Sequence, residues 1–230
     1  MANILNIDTS SSICSVALAK DGEITMGLES SKQMDHSSSL APFVEKCLSY
    51  ARERGESLDA ISVTSGPGSY TGLRIGLSLA KGVAFGLGIP LITISTLEVM
   101  AVRAIFSYKD FSGEELIVPM IDARRMEVYT AAYNSALNLE SMPKAVILNE
   151  NTYRDLKNDR KILFIGDGTE KFKPLFKQNN AVWLGPGMAH AKFMTTLAEK
   201  YYRENKFSDV AYSVPQYLKE YQATIPKNKI

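Results

Sequence analysis

The spacing of apolar and polar residues predicts that the chain begins with three short strands. Strand-like runs extend from Asn3 to Asp8, from Cys14 to Leu18 and from Glu23 to Leu28, and polar turn residues separate them. Apolar residues then recur at helical spacing from Leu40 to Ala51. The pattern therefore indicates three consecutive strands followed by a first helix.

The next stretch, from Ile61 to Ile94, predicts a strand, a turn, a long helix and another strand. The turn at residues 66–68 is Gly-Pro-Gly, a sequence that lets a chain reverse sharply. Ser69 or Thr71 is the expected cap of the helix, because a hydroxyl oxygen there can accept a hydrogen bond from a free backbone N–H group.

This long helix carries small or apolar residues on nearly all of its sides. Gly72, Gly76 and Ala80 repeat every four residues and so share one face. Glycine inside a helix costs about 1 kcal/mol relative to alanine, so two of them need a reason such as close approach of another backbone. The helix ends at about Gly86 or Gly88. A helix that is apolar all round is buried all round, so a second helix or a partner protein is expected to cover the side away from the sheet.

This order of elements predicts an α/β fold of two ribonuclease-H-like lobes, the arrangement of the actin-like ATPase superfamily. Residues 1–107 form the first lobe, with three meandering strands before alternating helices and strands. Residues 108–230 form the second lobe, in which the run from Leu116 to Asp122 ends in aspartate as the run from Ile4 to Asp8 does. No long central helix follows it, so the second lobe is predicted to be reduced.

The C-terminal part is less regular. Residues from Leu163 to Gly166 predict a late strand, and the amphipathic stretch from Met188 to Glu204 predicts a last helix that can pack back on the first lobe. The tail after Pro215 is expected to be extended and poorly held.

Composition and motif spacing exclude several kinds of chemistry. With 26 Lys+Arg against 25 Asp+Glu in 230 residues, the chain has no strongly basic character overall. Two cysteines, Cys14 and Cys47, make no disulfide framework, and the N-terminus lacks an export signal, so we expect a cytoplasmic protein without membrane contact. The two histidines are far apart, and His36 is expected to be a surface or capping residue, so no metal site is predicted.

The glycine-rich turn also fails as a phosphate-binding motif. Gly66 and Gly68 match the first two glycines of the dinucleotide fingerprint, but Thr71 stands at the third position. Leu73 and Arg74 are not the Lys-Ser/Thr pair of a phosphate loop, and no serine nucleophile elbow occurs. We therefore predict no catalytic residue.

Four segments resemble the TsaB family of bacterial proteins. The resemblance is carried mainly by SGPGSYTGLRIGLSLAKG at residues 65–82, and further by NIDTS at 6–10, ISTLEVMA at 94–101 and IDARRMEVY at 121–129. It covers the first 130 residues well and the remainder weakly. It implies a non-catalytic scaffold subunit that pairs with the TsaD transferase and the TsaE ATPase. That complex threonylcarbamoylates the adenosine next to the anticodon in tRNAs that read ANN codons, and this subunit would meet tRNA only through the complex.

The resemblance to actin-like ATPases implies a cleft that once held a nucleotide. Asp8, Thr9 and Ser10 follow the first strand and Asp122 occupies the matching place in the second lobe, where acidic residues of the superfamily help to hold magnesium and phosphate. The alternative is that these aspartates only fix turns at strand ends. Since Ala123 and the following arginines would crowd a phosphate, the prediction is a vestigial cleft with no cofactor, or with weak ATP or ADP binding at most.

The helices of the first lobe are the predicted partner surface. The family resemblance implies that a TsaD-like subunit docks there, and the chain alone can instead form a homodimer. The competing hypothesis is a free-standing ATP-dependent phosphotransferase, which would need a clean phosphate-binding turn in both lobes. The predicted interface residues are Leu40, Val44, Gly72, Arg74, Gly76 and Ala80.

Overall fold

The computed structural model describes residues 2–30, 35–154, 156 and 160–219. They form two mixed five-stranded sheets with helices packed against their faces. Among the helices of these ranges, none is both long and apolar enough to cross a membrane.

The first sheet has the strand order β3-β2-β1-β4-β5. Strand β1 is central. It pairs antiparallel with β2, which pairs antiparallel with β3, whereas β4 and β5 run parallel to β1. The elements of this half are β1 (Asn3–Asp8), β2 (Ser15–Lys20), β3 (Glu23–Glu29), α1 (His36–Glu53), β4 (Ala60–Gly66), α2 (Tyr70–Leu87), β5 (Leu91–Ser95) and α3 (Thr96–Ser107).

The second sheet repeats the first with the order β8-β7-β6-β9-β10 and the same strand directions. This duplication confirms the α/β fold of actin-like ATPase type. Its strands and helices are β6 (Leu116–Asp122), β7 (Glu127–Tyr133), β8 (Leu139–Ile147), β9 (Ile162–Ile165), α4 (Thr169–Phe172), β10 (Ala181–Trp183) and α5 (Thr195–Arg203).

Helices cover the two faces of the first sheet differently. Helices α1 and α2 pack their apolar sides against one face of the first sheet, and the core they form includes Leu5, Ile7 and Val63. Helices α3 and α5 lie on the other face, in a core shared with the second sheet that includes Ile94 and Leu163. The last helix therefore packs on β1 and β5 of the first lobe.

Sequence reasoning was wrong about parts of the second half. The predicted helix from Met188 to Glu204 begins only at Thr195, after a single 3-10 turn at Ala191–Phe193. Strands β8 and β10 were not predicted. β8 carries Pro143 and is half exposed, and β10 has only three residues, so neither shows a strong strand pattern.

The ends of α2 agree with its capping signals. The Ser69 hydroxyl accepts a hydrogen bond from the Gly72 backbone N–H at 3.2 Å, so Ser69 rather than Thr71 is the N-cap. Gly88 adopts the left-handed conformation with φ of 66°, which ends the helix.

Five of the six predicted partner residues are buried inside the first lobe of the single chain. Leu40, Val44 and Ala80 are buried in the first-lobe core, with at most 3% of their surface exposed. Gly72 and Gly76 face Thr9 of the same lobe so closely that a Cβ atom would come within 2.1 Å and 2.2 Å of its oxygens. The small residues thus let α2 approach its own β1 turn, and of the six only Arg74 is exposed.

The tail is also better held than predicted as far as Lys219. Gln216 donates its backbone N–H to the carbonyl oxygen of Ser65 at 2.7 Å, and Tyr217 and Lys219 make side-chain contacts described below. The rest of the predicted tail, residues 220–230, lies outside the described residues.

Candidate functional site

The turn after β1 encloses Asp8 inside the first lobe. Asp8 is fully buried, and its Oδ1 atom accepts hydrogen bonds from the Ser10 backbone N–H at 3.1 Å, the Ser10 hydroxyl at 2.6 Å and the Thr64 hydroxyl at 2.9 Å. Three donors on one buried oxygen hold the carboxylate as the centre of the turn. This geometry is that of a turn-fixing residue, the alternative that the sequence left open.

Helix α2 and the glycine turn close over the same place. The Thr9 hydroxyl donates to the carbonyl oxygen of Gly72 at 2.7 Å, and the Ser69 backbone N–H donates to the carbonyl oxygen of Ser10 at 2.7 Å. A Cβ atom on Gly68 would lie 2.3 Å from the same Ser10 oxygen. The backbone of the first-lobe turn is therefore in direct contact with the glycine-rich segment, which fills the space above Asp8.

The matching turn of the second lobe is open to solvent. The side chain of Asp122 is 41% exposed, and its Oδ1 atom accepts from the Arg124 backbone N–H at 2.6 Å and pairs with the Lys171 ammonium at 2.9 Å. Lys171, from α4, also donates to the backbone oxygens of Arg125 and Glu127. A lysine thus supplies the positive charge at the position where the sequence suggested a nucleotide-bound metal.

The two turns face each other across a cleft of about 1290 Å³. Ser10 and Asp122 both line it, whereas Asp8 and Thr9 do not, so only two of the four predicted cleft residues reach the space between the lobes. Four basic and three acidic side chains line the cleft, so their charges largely cancel. They are Arg74, Asp122, Arg124, Arg125, Glu127, Asp167 and Lys219.

Arg74 lies beside a pair of tyrosines at one side of the cleft. Its guanidinium carbon is 4.0 Å from the centre of the Tyr70 ring and 5.9 Å from that of Tyr217, and its Nε atom donates to the Tyr217 hydroxyl at 3.0 Å. The two rings are 5.1 Å apart. Arg74 was predicted as a partner residue, and the contact to Tyr217 could not be found from sequence because the two residues are 143 positions apart.

Groups that could carry other chemistry are buried in the first lobe. Burial raises the pKa of Cys14 to about 12, with smaller contributions from the charges of Asp8 and Asp35, and burial raises the pKa of Cys47 to about 11. His36 is buried rather than at the surface, and its Nε2 atom lies 2.8 Å from the Ser11 carbonyl oxygen, to which it donates. Within the described ranges, no three His, Cys, Asp or Glu side chains lie close enough together to hold a metal ion.

The outer face of α2 is a second candidate site. The outer face of α2 is defined by six exposed or half-exposed residues: Ile75, Ser78, Leu79, Gly82, Phe85 and Gly86. Phe85 is 82% exposed, and a Cβ atom built on Gly82 or Gly86 meets nothing within 4 Å. A large aromatic residue therefore lies in water beside open glycines, and aromatic residues are enriched at protein interfaces.

Comparisons with known proteins agree with the two-lobed fold. The family model of TsaD, described as tRNA N6-adenosine threonylcarbamoyltransferase, matches residues 30–228. The match spans both lobes and places the chain in the wider protein family that this model describes.

Individual relatives narrow the assignment. The Bacillus subtilis protein named tRNA threonylcarbamoyladenosine biosynthesis protein TsaB is 33% identical over 221 residues, 94% of this chain and 93% of the relative. The Escherichia coli protein of the same name is 31% identical over 226 residues, 94% of each. A solved structure described as YeaZ from Pseudomonas aeruginosa has a TM-score of 0.78 and 27% identity, covering 95% of this chain and 100% of that one. The chain belongs to the TsaB family.

Proposed function

We propose that this chain is a non-catalytic subunit in tRNA threonylcarbamoyladenosine biosynthesis. In this proposal it pairs with a TsaD-like transferase subunit, which performs the chemistry, and a TsaE-like ATPase joins the pair in the cytoplasm. Contact with tRNA is made only through the complex. Membership of the TsaB family supports the pathway, because its curated relatives are named for it.

The observation that carries the pairing is the outer face of α2. Phe85 and the half-exposed Leu79 lie beside Gly82 and Gly86, so a partner helix can approach closely and cover apolar surface that the monomer leaves in water. Burial of apolar area contributes about 25 cal/mol per Å², and packing against small residues adds dispersion contacts. The role predicted for Gly72, Gly76 and Ala80 thus passes to the next stripe of small residues on the same helix, Ser78, Gly82 and Gly86.

The burial of Asp8 and the ion pair of Asp122 favour a binding role over the phosphotransferase alternative. Asp8 is fully buried and fixed by three hydrogen bonds, and Asp122 is paired with Lys171. A phosphotransferase of this fold would need carboxylates free to hold magnesium and turns open to phosphate. We therefore expect no ATP turnover by the isolated chain.

The decisive experiment places a bulky residue on the outer face of α2. Gly82→Leu adds a side chain where the monomer has open space, so the monomer should unfold at an unchanged or higher temperature. In a complex that needs close helix approach, the same side chain should cost about 1–3 kcal/mol, roughly a ten- to hundredfold loss of affinity. The measurements are affinity for the TsaD-like subunit of the same organism, by calorimetry, and the thermal midpoint of each variant.

Thr196→Leu is the matched control. Thr196 is exposed on α5, which lies on the opposite face of the first sheet from α2, so its replacement should leave affinity unchanged. Full affinity of Gly82→Leu would exclude this face as the docking surface, and absence of binding by the unmodified chain would refute the pairing itself.

A further inference from the structure

The segment that follows α5 runs along the first lobe toward the cleft. Ser208 forms an isolated bridge with Leu91 of β5. Further along, the Lys81 ammonium on α2 donates to the carbonyl oxygens of Ala211 at 2.8 Å and Ser213 at 3.1 Å. These contacts lead the chain to the glycine turn at the mouth of the cleft.

At the turn the segment is held by backbone contact. The Gln216 N–H donates to the Ser65 carbonyl oxygen at 2.7 Å. Gly66 has φ of 115°, and a Cβ atom there would lie 2.6 Å from the Gln216 carbonyl oxygen. The absence of a side chain at Gly66 therefore lets the C-terminal segment lie directly on the turn.

The next residue, Tyr217, adds a side-chain contact with the first lobe. Its ring stacks obliquely near Tyr70, and its hydroxyl accepts a hydrogen bond from the Arg74 guanidinium, which lies over the Tyr70 ring. Contacts of this kind at exposed sites are individually weak, but here a hydrogen bond, a ring pair and a cation–π contact converge on one side chain.

Two residues later the segment reaches the other lobe. The Lys219 ammonium pairs at 2.6 Å with the carboxylate of Glu127, the first residue of β7. Three residues of extended chain span about 10 Å, and the Lys219 side chain makes the contact with the second lobe. Tyr217, Leu218 and Lys219 accordingly form part of the cleft wall.

We propose that residues 213–219, which we call the strap, clamp the two lobes together across the cleft. The strap is anchored on the first lobe by Gln216 and Tyr217 and on the second by Lys219. Since all its side-chain contacts are at least partly exposed, they can be released without unfolding either lobe, and opening of the cleft requires that release. This proposal is independent of the pairing with a TsaD-like subunit.

The test asks whether loss of the second-lobe anchor loosens the first-lobe anchor. Hydrogen exchange of the Gln216 backbone N–H is measured in the full chain and its variants. Lys219→Glu should accelerate exchange about two- to fivefold, because an exposed ion pair contributes little. Tyr217→Ala should accelerate it about tenfold or more, since several contacts are lost at once. The double variant with Lys219→Glu and Glu127→Lys should restore part of the protection.

Lys173→Glu is the matched control, because Lys173 is an exposed lysine on the second lobe outside the strap. It should leave Gln216 exchange unchanged. A carbodiimide, which joins amine and carboxylate groups in contact, should link Lys219 to Glu127 within one chain, as detected by peptide mass spectrometry. Equal exchange in the unmodified chain and Lys219→Glu, or no Lys219–Glu127 link, would overturn the strap.

Discussion

The two lobes share one strand order but end their first strands in different ways. In the first lobe the turn after β1 is sealed, because the 18-residue helix α2 brings Gly72 and Gly76 against Thr9. In the second lobe the corresponding helix α4 has only four residues and leaves the turn after β6 open. Lys171, from that short helix, then neutralises Asp122. The two lobes therefore share a strand order without sharing the same site. The length of the helix, α2 or α4, decides whether the turn after the first strand is covered.

The two sides of helix α2 also differ in what they contact. Its inner small residues serve the fold of the first lobe, and its outer ones are free for a partner. The corresponding helix of the second lobe, α4, has only four residues, so the proposed docking surface belongs to the first lobe.

The largest expected effect is the difference in stability between removing the buried Asp8 and removing the exposed Asp122. Asp8→Ala should lower the free energy of unfolding by about 3 kcal/mol or more, because each buried donor that it leaves unpaired costs about 1–3 kcal/mol. Asp122→Ala removes an exposed ion pair and should cost less than about 1 kcal/mol. Urea unfolding of both variants measures the contrast. Equal losses would mean that the two turns are equivalent after all.

A smaller contrast is expected between the two glycine stripes of α2. Gly76→Ala places a methyl group 2.2 Å from the Thr9 hydroxyl oxygen and should destabilise the protein by about 1–3 kcal/mol. The methyl group added by Gly82→Ala meets nothing within 4 Å, so this variant should stabilise the helix by up to about 1 kcal/mol. Thermal midpoints of the two variants should therefore move in opposite directions, and movement in the same direction would contradict the assigned helix orientation.

The smallest perturbation uses the cysteines, both of which lie in the first lobe. Burial raises the pKa of Cys14 to about 12 and of Cys47 to about 11, so both are protonated thiols in the folded protein at pH 8. A thiol reagent should label neither until the first lobe opens. Because an unfolded thiol ionises near pH 8.5, these groups should lower stability as pH rises from about 9 toward 11, and not below. Rapid labelling of the folded chain at pH 8 would show that the first-lobe core is open.

Much of the fold follows from local sequence. The bounds of β1 agree with the prediction. Helix α2 is capped by Ser69 and ends at Gly88, each one of the two residues predicted for that role, and the recurrence of an aspartate at the end of β6 indicated the second lobe. These features depend on periodicity and on residues within one or two turns, which sequence displays directly. Strands β8 and β10 could not be predicted, because half-exposed or very short strands show no clear alternation of apolar and polar residues.

What the sequence by itself determined is the order of elements in the first lobe, the duplicated α/β architecture and the resemblance to the TsaB family. Only the tertiary structure decided which stripe of α2 faces inward, because small residues occur at helical spacing on two sides and periodicity does not distinguish them. It also decided that Asp122 meets Lys171, 49 positions away, and that Tyr217 meets Arg74, 143 positions away. Contacts between such distant residues depend on how the whole chain packs, and no local pattern of residues encodes them.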